Sequence, residues 1–267
     1  MRLKILHRTT YRYDHPPSYG LQELRLTPKD RASQKVLHWA IAIEGGRREA
    51  EFDDQHMNHV CLLSFTGDAN EIAVTTEGEV ETQDTKGVVG RHHGFAPLWL
   101  FERPTDLTRA GNQTRKLTKG LADDFPNMLG RLHELSLRIR NTVDYVTGQT
   151  NSETTAEAAL EHGSGVCQDH AHIFLAAARE MGIPARYVSG YLMMNDRVHQ
   201  DATHAWAEAH VEDLGWVGFD VSNVISPDER YVRVATGLDY REAAPVSGLR
   251  FGDHGSERLA VDIQVQQ

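Results

Sequence analysis

Gly163-Ser164-Gly165-Val166-Cys167-Gln168-Asp169-His170-Ala171-His172 decides the fold of the second half of the chain. Two glycines precede Cys167, and an alanine-rich stretch to Met181 follows it, with Gly182 and Pro184 as stop signals. The spacing therefore predicts a helix that begins at the cysteine. The unpaired N–H groups and the dipole at a helix N-terminus favour an anion, which predicts a thiol shifted toward the reactive thiolate. Gly163 and Gly165 permit a tight turn and a close approach of backbone to substrate. Taken alone, these residues leave a buried structural thiol as the alternative.

A thiolate nucleophile needs an imidazole and a group to orient it. Downstream, Thr203-His204-Ala205-Trp206-Ala207-Glu208-Ala209-His210 alternates as a strand, and Leu214-Gly215-Trp216-Val217-Gly218-Phe219-Asp220 turns into the next. If the two pair as a hairpin, His204 and Asp220 sit side by side near one end of a sheet. The order along the chain is then nucleophile, base, orienter. Other β-like runs are 186–192, 230–235 and 258–265, so helices come first and strands afterwards, an α+β arrangement.

Working upstream, Leu129, Leu132, Leu135, Ile139, Val143 and Val146 fall at helical spacing within 128–146. Thr154-x-x-Glu157 has the form of a capping box opening a short helix that Gly163 ends. The stretches 87–91 and 105–120 read as the connection between two halves. The first third reads as β: Leu3, Ile5, His7, Thr9, Tyr11 and Tyr13 alternate with their neighbours until Asp14-His15-Pro16-Pro17 stops them. Leu37, Trp39, Ile41 and Ile43 repeat the pattern before Gly45-Gly46, and the runs 59–65 and 71–82 flank the turn 66–70. Short strands with turns about every ten residues predict a β-sandwich. The expected organisation is a β-sandwich over 1–105, a catalytic core over 106–245, and a C-terminal loop and strand over 246–267. The glycine- and proline-containing run 243–255 is expected to be a loop near the active-site face, the kind of segment from which lids are drawn.

Composition excludes several classes. With 38 acidic and 28 basic residues the formal charge is −10, the wrong sign for a chain whose main task is binding phosphate backbones, although 15 histidines would erode that charge on acidification. No apolar run approaches the roughly 18 residues of a membrane span. The opening Met1-Arg2-Leu3-Lys4-Ile5-Leu6-His7-Arg8 is alternating and charged rather than a signal peptide, so a cytoplasmic location is expected. Two cysteines, Cys61 and Cys167, are too few for a disulfide framework.

The block Gly165-Val166-Cys167-Gln168-Asp169 with His172, the run Gly182-Ile183-Pro184-Ala185-Arg186-Tyr187-Val188-Ser189-Gly190-Tyr191, the segment His204-Ala205-Trp206 and the segment Gly215–Asp220 resemble the core of the transglutaminase-like superfamily in order and spacing. The whole chain is similar to the bacterial branch described as transglutaminase-like enzymes or cysteine proteases, in which an N-terminal β domain precedes the core; 7–13 resembles its opening strand. The resemblance implies a papain-like core, a helix carrying Cys167 packed on an antiparallel sheet carrying His204 and Asp220. Two positions depart from the pattern: His170 stands where an apolar residue is expected, and Val221-Ser222-Asn223 replaces Pro-Thr-Asn. Both read as tuning of the pocket. There is no acidic calcium loop, and no metal or other cofactor is expected.

These readings predict a thiol enzyme that hydrolyses peptide or isopeptide bonds through a Cys167–His204–Asp220 triad and a thioester acyl-enzyme. Protein-glutamine transglutamination with an amine acceptor, or non-catalytic peptide binding, are the alternatives. The Cys167 N–H is one expected oxyanion donor, and Gln168 or Tyr145 the second. Asp169 is expected to satisfy helix N-terminal amides, and His172 to be structural or a supporting hydrogen-bond partner. Trp206, Trp216 and Gly165 are read as cleft residues, with core packing as the alternative for the two tryptophans. The partner is a peptide or protein substrate, with neither nucleic acid nor membrane. Zinc is disfavoured because Cys167, His170, His199, His204 and His210 lack the close ligand pairs of structural sites. Cys61 reads as core, Arg186 as a buried ion-pair partner, His92-His93 as surface, 49–54 as a solvated acidic loop, and the sequon at Asn112 as carrying no meaning.

Overall fold

The computed structural model of the chain describes residues 1–67, 69–252 and 255–267; Asp68 of the expected turn 66–70, and Asp253 and His254 of the expected loop 243–255, lie outside the described residues. Six strands open the chain: β1 (Arg2–Tyr13), β2 (Tyr19–Thr27), β3 (Gln34–Glu44), β4 (Arg47–Asp53), β5 (His59–Thr66) and β6 (Glu71–Thr82). After β7 (Val88–Gly90) come the helices α1 (Asn112–Thr118), α2 (Leu121–Asp124) and α3 (Met128–Thr142). Strand β8 (Asp144–Tyr145), α4 (Ala156–His162), β9 (Ser164–Gly165) and α5 (Cys167–Glu180) follow. The remainder is β10 (Ala185–Leu192), β11 (His199–Gln200), β12 (His204–Val211), β13 (Gly215–Phe219), β14 (Tyr231–Gly237), α6 (Tyr240–Ala243), β15 (Val246–Phe251) and β16 (Glu257–Gln266).

The period-two pattern of β1 becomes alternate burial, and its buried face does two jobs. Tyr11 and Tyr13, with Ile72 and Val74 of β6, pack against Leu24, Leu26, Cys61, Leu63 and Phe65 of β2 and β5. That is the sandwich, a five-stranded sheet β11-β16-β1-β6-β3 facing a four-stranded sheet β15-β2-β5-β4. At the other end of the same face, Leu3, Ile5, Val80, Ile263 and Val265 meet Tyr191, Val232 and Val234 of the core. The second half is built on the sheet β14-β10-β12-β13-β7. On β12 the small side chains Ala205, Ala207 and Ala209 face α5, which buries Ile173, Phe174, Ala176 and Ala177 in the same cluster as Val217 and Phe219. Small residues on the strand let the helix backbone come close.

Beside this apolar contact a buried polar cluster lies on the side of the sheet away from α5. Glu208 accepts from Arg186 at 2.6 Å and from Arg233 at 2.8 Å, and the Arg186 guanidinium lies 4.0 Å from the Trp216 ring centroid. Gln34 of β3 both donates to the Arg233 carbonyl and accepts from its N–H, each at 2.8 Å, in the manner of a strand partner.

Several expectations are corrected. The acidic run 49–54 is not a loop but lies mainly in β4, paired with β5 and exposed along its whole length. Charge on that segment marks a sheet edge guarded against further pairing. Strand β2 was not anticipated, because its buried Gln22 and Arg25 obscure the alternation. The stretches 87–91 and 105–120 are more than a connection: Val88–Gly90 adds an edge strand beside β13, and Asn112–Thr118 is helical. Helix α3 stops at Thr142, short of Val146, because Asp144 and Tyr145 are drawn out to pair with Ser164 and Gly165. The 154/157 capping box does not form. Thr155 caps α4, while the Glu157 carboxylate takes the N–H groups of Gly111, Gln113 and Thr114 at the start of α1. Within the run 243–255, Val246–Phe251 is not a loop but strand β15, which pairs with β2, and β16 then pairs with β1, so the C-terminal strands join the N-terminal sheets.

Candidate active site

Cys167 is the first residue of α5, half-buried. The helix start is held by Asp169, whose Oδ2 accepts from the Val166 N–H at 2.7 Å and the Thr150 hydroxyl at 2.6 Å. Burial pushes the Asp169 carboxyl up, against these hydrogen bonds. Gly165 is small for the same reason, since a Cβ there would meet Asp169 side-chain atoms at 2.7 Å. Gly163 adopts φ +72° and ends α4. The parallel pairing of β8 with β9 sets Tyr145 beside the cysteine, and the Tyr145 hydroxyl is hydrogen-bonded to the thiol. Burial and the neighbouring Cys167 raise that phenol to about 12.

β12 and β13 pair antiparallel, with Ala207 opposite Phe219, which makes His204 and Asp220 diagonal neighbours on one face. His204 Nε2 lies 2.6 Å from Asp220 Oδ2, and the ring is also hydrogen-bonded to Cys167. With Nε2 committed to the carboxylate, Nδ1 is the nitrogen left for the thiol. Burial alone would depress the imidazole, but Asp220 and Cys167 outweigh it and lift His204 to about 10. Asp220 is itself fully buried, yet its pKa is lowered because His204, Tyr231 and Asn223 all favour the anion. Tyr231 donates its hydroxyl at 2.7 Å, and Asn223 donates through both its side chain, at 2.7 Å, and its N–H, at 3.2 Å.

The structure thus brings Cys167, His204, Asp220 and Tyr145 together. Gln168 lines the same cleft, but its amide turns to the Ser152 carbonyl at 3.4 Å. His172 is wholly buried and accepts from the Tyr240 N–H at 3.1 Å, with burial lowering its pKa to about 3. Trp206, Trp216 and Gly165 do not line the cleft. Trp206 is buried behind His204 at a ring separation of 6.2 Å, and Trp216 is buried under Arg186. The two departures from the expected pattern, His170 and Ser222, are hydrogen-bonded to each other at 2.8 Å, and His170 also reaches the Val143 carbonyl at 3.0 Å. Sequence reading missed Tyr231 and the role of Asn223. The Asp-x-x-Asn spacing was a visible turn signal for Asn223, whereas nothing distinguished Tyr231 from other strand aromatics.

The cleft consists of two adjoining cavities that share Tyr145, Thr147, Met194, Arg197 and His204. One, of about 330 Å³, contains Cys167, Gln168, Tyr187 and Tyr240. The other, of about 800 Å³, is lined by Arg140, Met193, Asn223 and Arg230 among others. Among the described residues no group of three or more His, Cys, Asp or Glu side chains is arranged to hold a metal ion. No helix among them is long and apolar enough to cross a membrane.

Residues 112–221 match the family model described as the transglutaminase-like superfamily, and residues 3–81 match that of the bacterial transglutaminase-like N-terminal region. The chain thus carries a transglutaminase-like core preceded by a bacterial transglutaminase-like N-terminal region. An uncharacterized protein of Mycobacterium leprae is 28% identical over 277 residues, covering 99% of this chain and 98% of its own. A protein-glutamine gamma-glutamyltransferase of Pseudomonas aeruginosa is 30% identical over 117 residues, 38% of this chain and 17% of that one. The crystal structure of a “Putative Cysteine Protease from Cytophaga hutchinsonii” superposes with a TM-score of 0.77 at 24% identity, over 100% of this chain and 90% of that one. At that identity the likeness is one of fold.

Proposed function

We propose that this chain is a thiol enzyme that hydrolyses amide bonds of peptides or isopeptides through Cys167, His204 and Asp220. The observation that carries the reading is that Cys167 and His204 share one cavity wall, with the imidazole bonded at 2.6 Å to the buried Asp220 and raised by both partners. The His204 imidazolium, which holds the thiol's proton at Nδ1, keeps Cys167 as the thiolate, and the sulfur adds to the substrate carbonyl carbon. The oxyanion is received by the Cys167 N–H and the Tyr145 hydroxyl; Tyr145 is preferred over Gln168, whose amide is engaged elsewhere. When the C–N bond breaks, the leaving amine takes the proton from His204, leaving a thioester on Cys167. Water then adds, giving its proton to His204, and collapse expels the Cys167 thiolate beside the restored imidazolium as the carboxylic acid leaves. Asp220 stays ionised throughout and holds the imidazolium.

A second reading, transfer of the acyl group to an amine, draws support from the Pseudomonas relative's name. The thioester is common to both, and the incoming nucleophile decides. The test is to incubate the full chain with glutamine-containing peptides and peptide amides, with and without a dansylated primary amine, and follow products by mass spectrometry. Hydrolysis predicts free acid with or without the amine; transfer predicts dansyl conjugates. Cys167→Ala abolishes either product, and product persisting in that variant overturns both readings.

A further inference from the structure

Strand β16 runs within reach of the cleft with half of one edge bare. Its inner edge pairs with β1 from Glu257 to Gln266, whereas its outer edge meets β11 only at Ile263 and Gln264. Among the described residues no strand lies outside 257–262. The Val265 N–H reaches outward to the Val198 carbonyl at 3.2 Å, and because backbone groups alternate sides, those of Val261 and Leu259 point to the open edge as well. The edge strand β4 is guarded by Arg47, Arg48, Glu49, Glu51 and Asp53. The bare stretch of β16 carries charge only at its ends, Glu257, Arg258 and Asp262, and presents Leu259-Ala260-Val261 between them, with Leu259 56% exposed.

Beside this edge is a groove of about 170 Å³, walled by Tyr11, Leu259, Val261 and Val246 on one side and by Thr203 and Tyr240 on the other. Thr203 and Tyr240 also line the cavity of Cys167, so groove and cleft adjoin each other. Where β11 leaves β16, residues 201–203 lead directly to His204. A strand laid on the bare edge therefore ends at the entrance to the cleft.

We propose that the outer edge of β16 is a peptide-binding subsite, on which an extended stretch of the substrate adds as a strand and sets one apolar side chain in the groove. The backbone bonds recognise any extended segment, and the groove selects an apolar residue. The proposal rests on the acyl-transfer reading for what happens next, but binding is measurable without turnover. The full-length Cys167→Ala chain is titrated, by fluorescence anisotropy, into a fluorescein-labelled octapeptide amide of alternating valine and threonine with a lysine at each end. Leu259→Lys, on an exposed side chain, and Val261→Pro, which removes an outward N–H, each weaken binding at least fivefold. Leu37→Lys, on the opposite edge of the same sheet, leaves the affinity unchanged. No binding, or equal affinity for the parent and Leu259→Lys, overturns the proposal. Edge-dependent binding of a peptide that the wild type never cleaves or transfers instead sinks the acyl-transfer reading and leaves the subsite standing.

Discussion

At the residue scale, the strongest electrostatic feature is the His204–Asp220 pair. His204 titrates at about 10 in the folded chain, above its ordinary 6.5. The pair therefore adds stability that is complete below pH about 6.5 and is lost as pH rises through about 10. Asp220→Asn should accordingly lower the thermal midpoint most near pH 5–6, with the gap narrowing toward pH 10; a gap independent of pH would show that no imidazolium is held there. Tyr145→Phe removes one oxyanion donor and should lower kcat for a peptide amide about 100- to 1000-fold, while Gln168→Ala costs far less. Equal losses would reassign the donor. Cys167, His204 and Asp220 were legible because glycine, strand alternation and one tight turn position them almost without help from the rest of the chain. Tyr231 was not, since its contact with Asp220 depends on β14 lying on the far side of β10.

At the element scale, local signals located most strands and helices and misassigned those whose partners are distant. The start of α5 and its Gly182 stop follow from nearby residues, and Gly182 adopts φ +70°. Glu157 does not act locally: three residues after a threonine it mimics a capping box, yet it satisfies three backbone N–H groups and the Thr114 hydroxyl of another helix. Glu157→Ala should destabilise the chain by about 1–3 kcal/mol, measured by urea unfolding, because buried donors lose a charged acceptor. A change below about 0.5 kcal/mol would mean that water replaces the carboxylate. Strand β4 was hidden by the very charges that suit an exposed edge.

At the scale of the whole molecule, alternation announces a strand but not its neighbour, which is why the return of β15 and β16 to the N-terminal sheets was invisible in the sequence. One face of β1 covers both the sandwich interior and the outer side of the core sheet, so the two halves share buried groups, His7 among them. Burial lowers His7 to about 4 and His172 to about 3. Unfolded histidines bind protons below about 6.5, so the stability from keeping these two neutral is present above that pH and is lost as pH falls toward their folded values. His204, protonated in both states below about 6.5, adds no slope there. Unfolding free energy should fall between pH 6.5 and 4.5 by up to about 1.4 kcal/mol per pH unit for each buried histidine. His172→Asn, which keeps an acceptor for Tyr240, should remove one such share; an unchanged slope would contradict the assignment.

The central claim is that Cys167 and His204 act as one unit, and alkylation tests it most directly. Peptide mass spectrometry follows iodoacetamide labelling of Cys167 and Cys61 across pH 5–9 in the wild type and in His204→Ala. The account predicts that Cys167 labels rapidly at pH 6–7 in the wild type and slows at least tenfold without His204, while Cys61, sealed in the sandwich core, stays unlabelled in both. Labelling of Cys167 at the same rate in both proteins would mean that the imidazole does not activate the thiol, and the proposed mechanism would fall.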